Sequence, residues 1–307
     1  MIIETVVIIV NWDGERWLKN CLDSLETQTY KKFKIFFVDN GSNDGSVLFV
    51  KANYKHVRVI ELDKNYGFAK GNNIGIKLAL KIDTVKYIAC INNDTIVDKG
   101  WLNYLIKRVS SSPKLGAVSS KMVFPNGIIN SIGVFVNKFG YGYSLGIGQK
   151  DSKDFLKPRQ IWGFCGGSFV IKTSILQKIG LFEELFESYY EDADLSLRLK
   201  NKGYLIFYEP KSKVIHYHSG TLGSFSERKF FLTERNRLIY LAKNHTPLVF
   251  LINLILSPFL LFFMKRKRKY FNSDKVKLNY CKLLRTYIHA IFEGTIISLK
   301  IIIGRLF

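Results

Sequence analysis

Thr5-Val6-Val7-Ile8-Ile9-Val10-Asn11-Trp12-Asp13-Gly14 joins six consecutive β-branched residues to a polar turn closed by glycine. A continuous apolar run of this length, with no polar alternation, describes a strand buried on both faces. Such strands belong to parallel sheets with helices above and below. The residues before it, Ile2, Ile3 and Glu4, include no basic segment, and no small-residue cleavage site follows. The run therefore reads as a buried strand and not as a signal peptide.

Working outward, short β-branched runs alternate with amphipathic helical stretches as far as Ser119. Strands are predicted near Thr5–Val10, Phe33–Val38, Val57–Glu61, Val85–Ile91 and Gly116–Ser119. Helices are predicted near Glu15–Thr27, Ser46–Tyr54, Ala69–Ile82 and Trp101–Ser111. This β-α alternation is the pattern of an α/β fold with a Rossmann-like, mostly parallel sheet. Polar turns follow the strands at Asn11–Gly14, Asp39–Gly45, Lys64–Gly67 and Asn92–Asp94. Ligands of open α/β sheets bind beyond the carboxyl ends of the strands, so these turns are expected to line one crevice.

Between Lys121 and Gln160 glycines and aromatics suggest irregular hairpins or a loop. Trp162–Ile171 reads as a strand with a glycine break at Gly166-Gly167, a place where a backbone or ligand comes close or a bulge forms. A helix near Thr173–Ile179 and another beginning at Glu191 follow. The sharp change in composition at Thr246-Pro247 divides a first domain, residues 1–246, from a basic and apolar tail, residues 247–307.

The chain has 307 residues, is 47% hydrophobic and carries a formal net charge of +21, which calls for an anionic partner. Eleven Lys/Arg against two acidic residues lie in 247–307, beside long apolar runs. No helix-turn-helix, zinc-finger or RNA-binding signature accompanies this charge, so an anionic membrane surface is the expected partner and nucleic acid is not. Cys21, Cys90, Cys165 and Cys281 are widely spaced with no CxxC, which fits a reducing compartment and gives no zinc site.

Several acids sit where chemistry could use them. Asp39 ends a strand, where a carboxylate either caps its own turn or accepts hydrogen bonds from a base N–H or a ribose hydroxyl. Asp94 ends another strand, and Asn92-Asn93-Asp94 is either a turn or an oxygen-rich holder for a divalent cation on a diphosphate. Glu191 and Asp192 open an amphipathic helix. There they serve as partners of the helix dipole or as a general base that takes a proton from a hydroxyl.

Together with Gly166-Gly167-Ser168-Phe169, Gly180-Leu181-Phe182-Glu183-Glu184, Tyr190-Glu191-Asp192-Ala193-Asp194-Leu195 and Val214-Ile215-His216, these segments resemble family 2 glycosyltransferases of the GT-A fold. The similarity is greatest to the rhamnosyltransferase-like branch and covers about residues 3–245. It rests equally on Val7–Trp12, Val38–Ser46, Asn65–Asn73 and Asn92–Thr95. The resemblance implies that Val10 and Asn11 frame a nucleotide pocket, with Asp39 on the base and Asp44 nearby. It implies that Asn65, Gly67, Gly71 and Asn72 shape the wall against ribose and diphosphate. Asn93, Gly166 and Gly167 join the same nucleotide-sugar set. Asp94 would hold Mg²⁺ or Mn²⁺, His216 would complete the metal shell, Asp192 would be the base and Glu191 its support. Asn92 replaces the first acid of the DxD triplet. His216 and His218 stand two residues apart on one predicted strand, and His216 is the one the resemblance implies as a ligand.

The implied activity is inverting transfer of a sugar from a nucleotide diphosphate donor (dTDP-rhamnose or a UDP- or GDP-sugar) to a glycan hydroxyl. The glycan is expected on a polyprenyl lipid, in cell-surface polysaccharide assembly. The rivals are a basic binding protein without turnover and a sugar nucleotidyltransferase. The latter needs a glycine-rich, arginine-bearing loop after the first strand, which Asn11–Gly14 lacks. Ser226–Lys243 reads as a basic helix in which Arg235 and Arg237 either meet phosphate or lie on a solvated face.

In the tail, Leu248–Met264 is apolar and Lys265–Lys269 follows. As a helix these seventeen apolar-run residues would be about 25 Å long, short of a hydrocarbon core of about 30 Å. Tyr287–Phe307 alternates apolar and charged faces in the manner of an interfacial helix. A single crossing would leave the basic run in the cytoplasm and the catalytic domain outside, away from nucleotide sugars. An in-plane or re-entrant helix pair on the cytoplasmic face is therefore expected, with Pro258 permitting a bend.

Overall fold

In the computed structural model, which describes residues 2–217, 226–266 and 280–306, the chain forms two compact units. The first comprises residues 1–135 and 143–221, the second residues 136–142 and 222–307.

The first unit is built on one large sheet. Its strands are β1 (Thr5–Asn11), β2 (Phe33–Asp39), β3 (Arg58–Glu61), β4 (Tyr87–Asn92), β5 (Thr95–Val97), β6 (Leu115–Val123) and β7 (Ile129–Ser131). After β8 (Val134–Val136) and β9 (Gly142–Ser144), which stand apart from this sheet, come β10 (Arg159–Gln160), β11 (Ser168–Lys172) and β12 (Leu205–His216). The order across the sheet is β10-β12-β6-β11-β4-β1-β2-β3. β1 pairs in parallel with β2 on one side, Thr5 opposite Phe33, and with β4 on the other, Thr5 opposite Tyr87. The initial apolar run is thus the sheet's centre. Val6 and Ile8 enter the core on one face and Val7 and Ile9 the core on the other, all fully buried. That two-sided burial is why the run does not alternate.

Helices α1 (Glu15–Glu26), α2 (Ser46–Asn53), α3 (Gly67–Ala79) and α4 (Trp101–Ser110) follow strands as expected, with ends shifted by up to three residues. On α1, Leu18, Cys21, Leu22 and Leu25 recur at helical spacing and pack with Val7 and Ile9; Ala69 and Ile76 of α3 pack with Val6 and Ile8. One sequence expectation needs correction. The strand expected over Trp162–Ile171 begins only at Ser168, and the glycine pair lies in the turn before it. This strand, β11, runs antiparallel between β4 and β6. It enters the sheet after a long excursion and not through a helical crossover, the connection that parallel pairing requires. Helices α5 (Thr173–Ile179) and α6 (Glu191–Asn201) then lead into β12.

The second unit contains α7 (Glu227–Asn244), α8 (Pro247–Arg266) and α9 (Tyr280–Leu306). The Ser226 hydroxyl caps α7 by accepting from Lys229 N at 3.1 Å. α7 is not a solvated basic helix. Arg235 and Arg237 are 3% and 0% exposed, and they pair with Glu293 at 3.0 Å and Glu234 at 3.2 Å. Arg237 also donates to Ser257 Oγ at 2.9 Å, and the Tyr287 hydroxyl donates to Ser257 O at 2.6 Å. At the far end Arg305 donates to the carbonyls of Ala242 and His245, capping α7 from α9. Among the described residues one helical stretch, Lys282–Arg305, is long and apolar enough to cross a membrane by length and composition. The sequence had raised that question for Leu248–Met264 instead.

Candidate active site

The carboxyl ends of β1, β2 and β4 meet around Asn11, which is fully buried. Its amide donates to Asp39 Oδ1 and to Ser42 Oγ, each at 3.1 Å, and its Oδ1 accepts from Asn93 Nδ2 at 2.6 Å. Gly14 leaves the space for this junction, since a Cβ there would fall within bonding distance of the Asn93 amide. Asp39 is further engaged by Ser42, through its hydroxyl at 2.6 Å and its backbone N–H at 2.9 Å. The strand-end acid therefore caps its own turn while lining the rim.

Of the remaining wall residues, Asn65 Oδ1 accepts from Asn40 Nδ2 at 3.0 Å and from Gly67 N at 2.8 Å, shaping the turn that starts α3. Gly71 allows α3 to press on Val10, whose Cγ1 lies 2.8 Å from where a Cβ would stand. Buried Asn72 donates back to Phe68 O at 2.9 Å. Gly71 and Asn72 thus build the wall from behind. Asp44 is exposed and is not brought into this cluster. Its two oxygens accept from Glu15 N at 2.9 Å and Ser46 N at 3.0 Å, at the starts of α1 and α2.

The metal candidates converge from opposite ends of the fold. His216 closes β12 directly opposite Thr95 of β5, and this pairing sets its Nε2 3.2 Å from Asp94 Oδ1. Asn130 Oδ1 lies 2.9 Å from the other ring nitrogen, Nδ1, and so fixes the proton there. Nε2 faces the Asp94 carboxylate, with Asn92 Nδ2 at 3.3 Å. Two donor atoms in adjacent positions of an octahedral cation stand about 3 Å apart, so this pair fits Mg²⁺ or Mn²⁺ with other positions left for ligand oxygens. Among the described residues no group of three or more His, Cys, Asp or Glu side chains is assembled for a metal. His218 lies outside the described residues.

The Glu191-Asp192 pair sits at the first turn of α6. Asp192 Oδ2 accepts from Gly166 N at 2.9 Å and Oδ1 from its neighbour Ala193 N at 2.8 Å. Gly167, one residue on, accepts from Asn92 N at 3.1 Å. The glycine turn before β11 thereby touches the helix-start acid on one side and the Asn92–Asp94 triplet on the other. Glu191 is buried, and its Oε2 has no hydrogen-bond partner among the described residues. Burial, and then the charge of Asp192, push its carboxyl well above the usual range. Burial also raises Asp192, but the two backbone N–H groups favour its anion. Asp192 is therefore the member that ionises first.

Sequence reasoning missed Ser42, Asn40 and Asn130. The first two lie in the same Val38–Ser46 segment as Asp39, whereas Asn130 belongs to a stretch without readable periodicity.

Residues 6–180 match the family described as Glycosyl transferase family 2. A rhamnosyltransferase of Escherichia coli K12, WbbL, is 28% identical over 250 residues, covering 77% of this chain and 92% of that protein. The N-acetylglucosaminyl-diphospho-decaprenol L-rhamnosyltransferase of Mycobacterium tuberculosis is 24% identical over 259 residues, 78% of this chain and 84% of the relative. The O-antigen biosynthesis protein RfbC of Myxococcus xanthus is 25% identical over 231 residues, and the match spans only 17% of its length. Among solved structures, the mannosyltransferase PcManGT of Pyrobaculum calidifontis in complex with GDP-Man and Mn²⁺ superposes with a TM-score of 0.57 at 14% identity. That match covers 97% of this chain and 88% of the other. GalNAc-T7 with UDP, GalNAc and Mn²⁺ gives a TM-score of 0.62 at 16% identity over 79% of this chain and 48% of its own. These likenesses establish the GT-A architecture. With the family match over more than half of its length, the chain belongs to glycosyl transferase family 2, and it is similar to the rhamnosyltransferases among these relatives.

Proposed function

We propose that this glycosyltransferase inverts the anomeric centre as it moves a sugar from a nucleotide diphosphate donor, dTDP-rhamnose or a UDP- or GDP-sugar, to a glycan hydroxyl. The acceptor in this reading is a glycan on a polyprenyl diphosphate, met at the cytoplasmic face of the membrane during cell-surface polysaccharide assembly. The observation that carries the reading is the Gly166-Gly167 turn, which binds Asp192 through one residue and the Asn92–Asp94 strand end through the next. A base and a diphosphate-binding edge are thus spaced by two glycines, which keep side chains out of the gap.

Asn11, Asp39 and the Asn65–Gly67 turn would receive the nucleotide. Asp94 and His216 would hold Mg²⁺ or Mn²⁺, which when bound neutralises charge on the departing diphosphate. Asp192 would accept the proton of the acceptor hydroxyl as its oxygen bonds to the anomeric carbon. The bond from that carbon to the diphosphate oxygen breaks on the opposite face, so one displacement inverts the configuration. Glu191, whose carboxyl burial and the Asp192 charge raise, would leave Asp192 as the carboxylate to take that proton.

Residues 1–246 would be the catalytic domain and 247–307 its membrane-facing tail. The second unit supports the membrane part of the reading through an inverted polarity. Leu251, Ile252, Ile255, Ile288, Phe292 and Ile303 are exposed, while Asn253, Ser257, Thr286 and Ser298 are buried. Apolar residues facing out and polar residues facing in suit a lipid surround. The exposed cations Lys282, Arg285, Lys300 and Arg305 flank the apolar stripe of α9 at both ends. These cations suit an anionic membrane surface.

The test is to incubate the full chain with Mn²⁺, a panel of nucleotide sugars and N-acetylglucosaminyl-diphospho-polyprenol, and to determine the product's anomeric configuration by NMR. An inverted product from one donor is expected. A retained configuration would overturn the mechanism.

A further inference from the structure

Three of the four residues before Glu191 have left-handed backbone without being glycine: Glu187 (φ 59°), Tyr189 (φ 70°) and Tyr190 (φ 74°). Such a run persists only where the surroundings hold it, and runs of this kind cluster at functional sites. The amino end of α3 does the holding. Ala69 N donates to Glu187 O at 2.8 Å, and Phe68 N donates to Ser188 Oγ at 3.1 Å. Gly67 lies so close that a Cβ would stand 2.8 Å from Glu187 O. One turn further along α3, the buried Asn73 carboxamide accepts from Phe182 N at 3.0 Å and donates to Phe182 O and Glu184 Oε1, each at 2.9 Å.

The same end of α3 is fastened to the nucleotide rim. Asn40, next to Asp39 and almost fully buried, accepts from Tyr66 N at 2.9 Å and donates to Asn65 Oδ1 and Gly67 O. α3 therefore grips the donor-side turn with one set of bonds and the segment leading to Asp192 with another.

We propose that Ser188, which ties the strained 187–190 segment to α3, and Asn73, which ties the preceding Phe182–Glu184 stretch to the same helix, are positioning residues that hold the Asp192 carboxylate against Gly166 N. The functional value of that placement rests on the reading of Asp192 as the base, but the placement itself can be measured without turnover.

Hydrogen exchange at the Gly166 amide reports the 2.9 Å bond to Asp192 Oδ2. In the full chain, Ser188→Ala removes the acceptor of Phe68 N–H without adding bulk. Exchange at Gly166 should accelerate by about tenfold, the scale of one lost hydrogen bond, and approach the rate in Asp192→Ala. Ser188→Thr, which keeps the hydroxyl, should restore slow exchange. Asn73→Ser repeats the test at the second tether if Ser188→Ala does not fold. Gly166 exchange as slow as in the wild type, with Phe68 exchange accelerated, would overturn the proposal. Full transfer activity in Asp192→Asn would instead overturn the base reading and leave the exchange result standing.

Discussion

His216 Nε2 and Asp94 Oδ1 face each other at 3.2 Å although 122 positions separate them in the chain, because β12 ends antiparallel to β5 with His216 opposite Thr95. Asn130 orients the imidazole from behind. Removal of this orienting group should weaken Mn²⁺ binding by about 10- to 100-fold in Asn130→Ala. Asp94→Ala should abolish binding. Titration calorimetry with Mn²⁺ and UDP or GDP checks both, and unchanged affinity in Asp94→Ala would remove the metal assignment.

Two backbone N–H groups bond to the two Asp192 oxygens; Asp192→Asn keeps the side chain's size and one acceptor oxygen, but loses one of these bonds and the base. Transfer should fall by about 10²–10⁴-fold with donor binding retained. Because burial raises the Asp192 carboxyl, the acid limb of the rate profile should lie above the ordinary aspartate value. Rates measured against pH in the wild type test this.

Glu191 offers a stability test. Its carboxyl is raised by burial and by the Asp192 charge, so the folded state holds the proton more tightly than the unfolded chain. The contribution to stability is full below the unfolded value and is lost as pH rises through the folded one. Glu191→Gln, neutral throughout, should therefore be as stable as the wild type in acid and more stable at alkaline pH. Thermal denaturation across that range decides it, and a variant that loses stability only at high pH would contradict the assignment.

Ile288 and Phe292 are 59% and 65% exposed on one face of α9. Replacing both by serine removes apolar area without disturbing the buried side. Co-sedimentation with vesicles containing anionic lipid should fall at least tenfold, since fully burying each large apolar side chain contributes about 1.5–3 kcal/mol. Wild-type chain that fails to sediment with such vesicles would overturn the membrane reading.

Much of the fold was readable before any coordinates. Thr5–Asn11 is β-branched and unbroken because both its faces are covered, and α1 repeats its apolar residues at helical spacing because one face meets the sheet. Asp39, Asp94 and Asp192 were visible as acids at strand and helix ends. What local pattern carries is burial and turn chemistry, each decided within a few residues of chain.

Direction and partnership were decided elsewhere. The antiparallel entry of β11, the seat of His216 opposite Thr95 and the burial of Arg235 and Arg237 depend on segments distant in sequence. A basic helix reads alike whether its arginines face water or Glu234 and Glu293. The two carboxylates of Glu191 and Asp192 are neighbours in the chain, yet only the packed structure gives Asp192 the Gly166 N–H and leaves Glu191 Oε2 without a hydrogen-bond partner. Sequence determined which groups could do chemistry; tertiary packing decided which of them ionises more readily, because ionisation depends on burial and on donors supplied from across the fold.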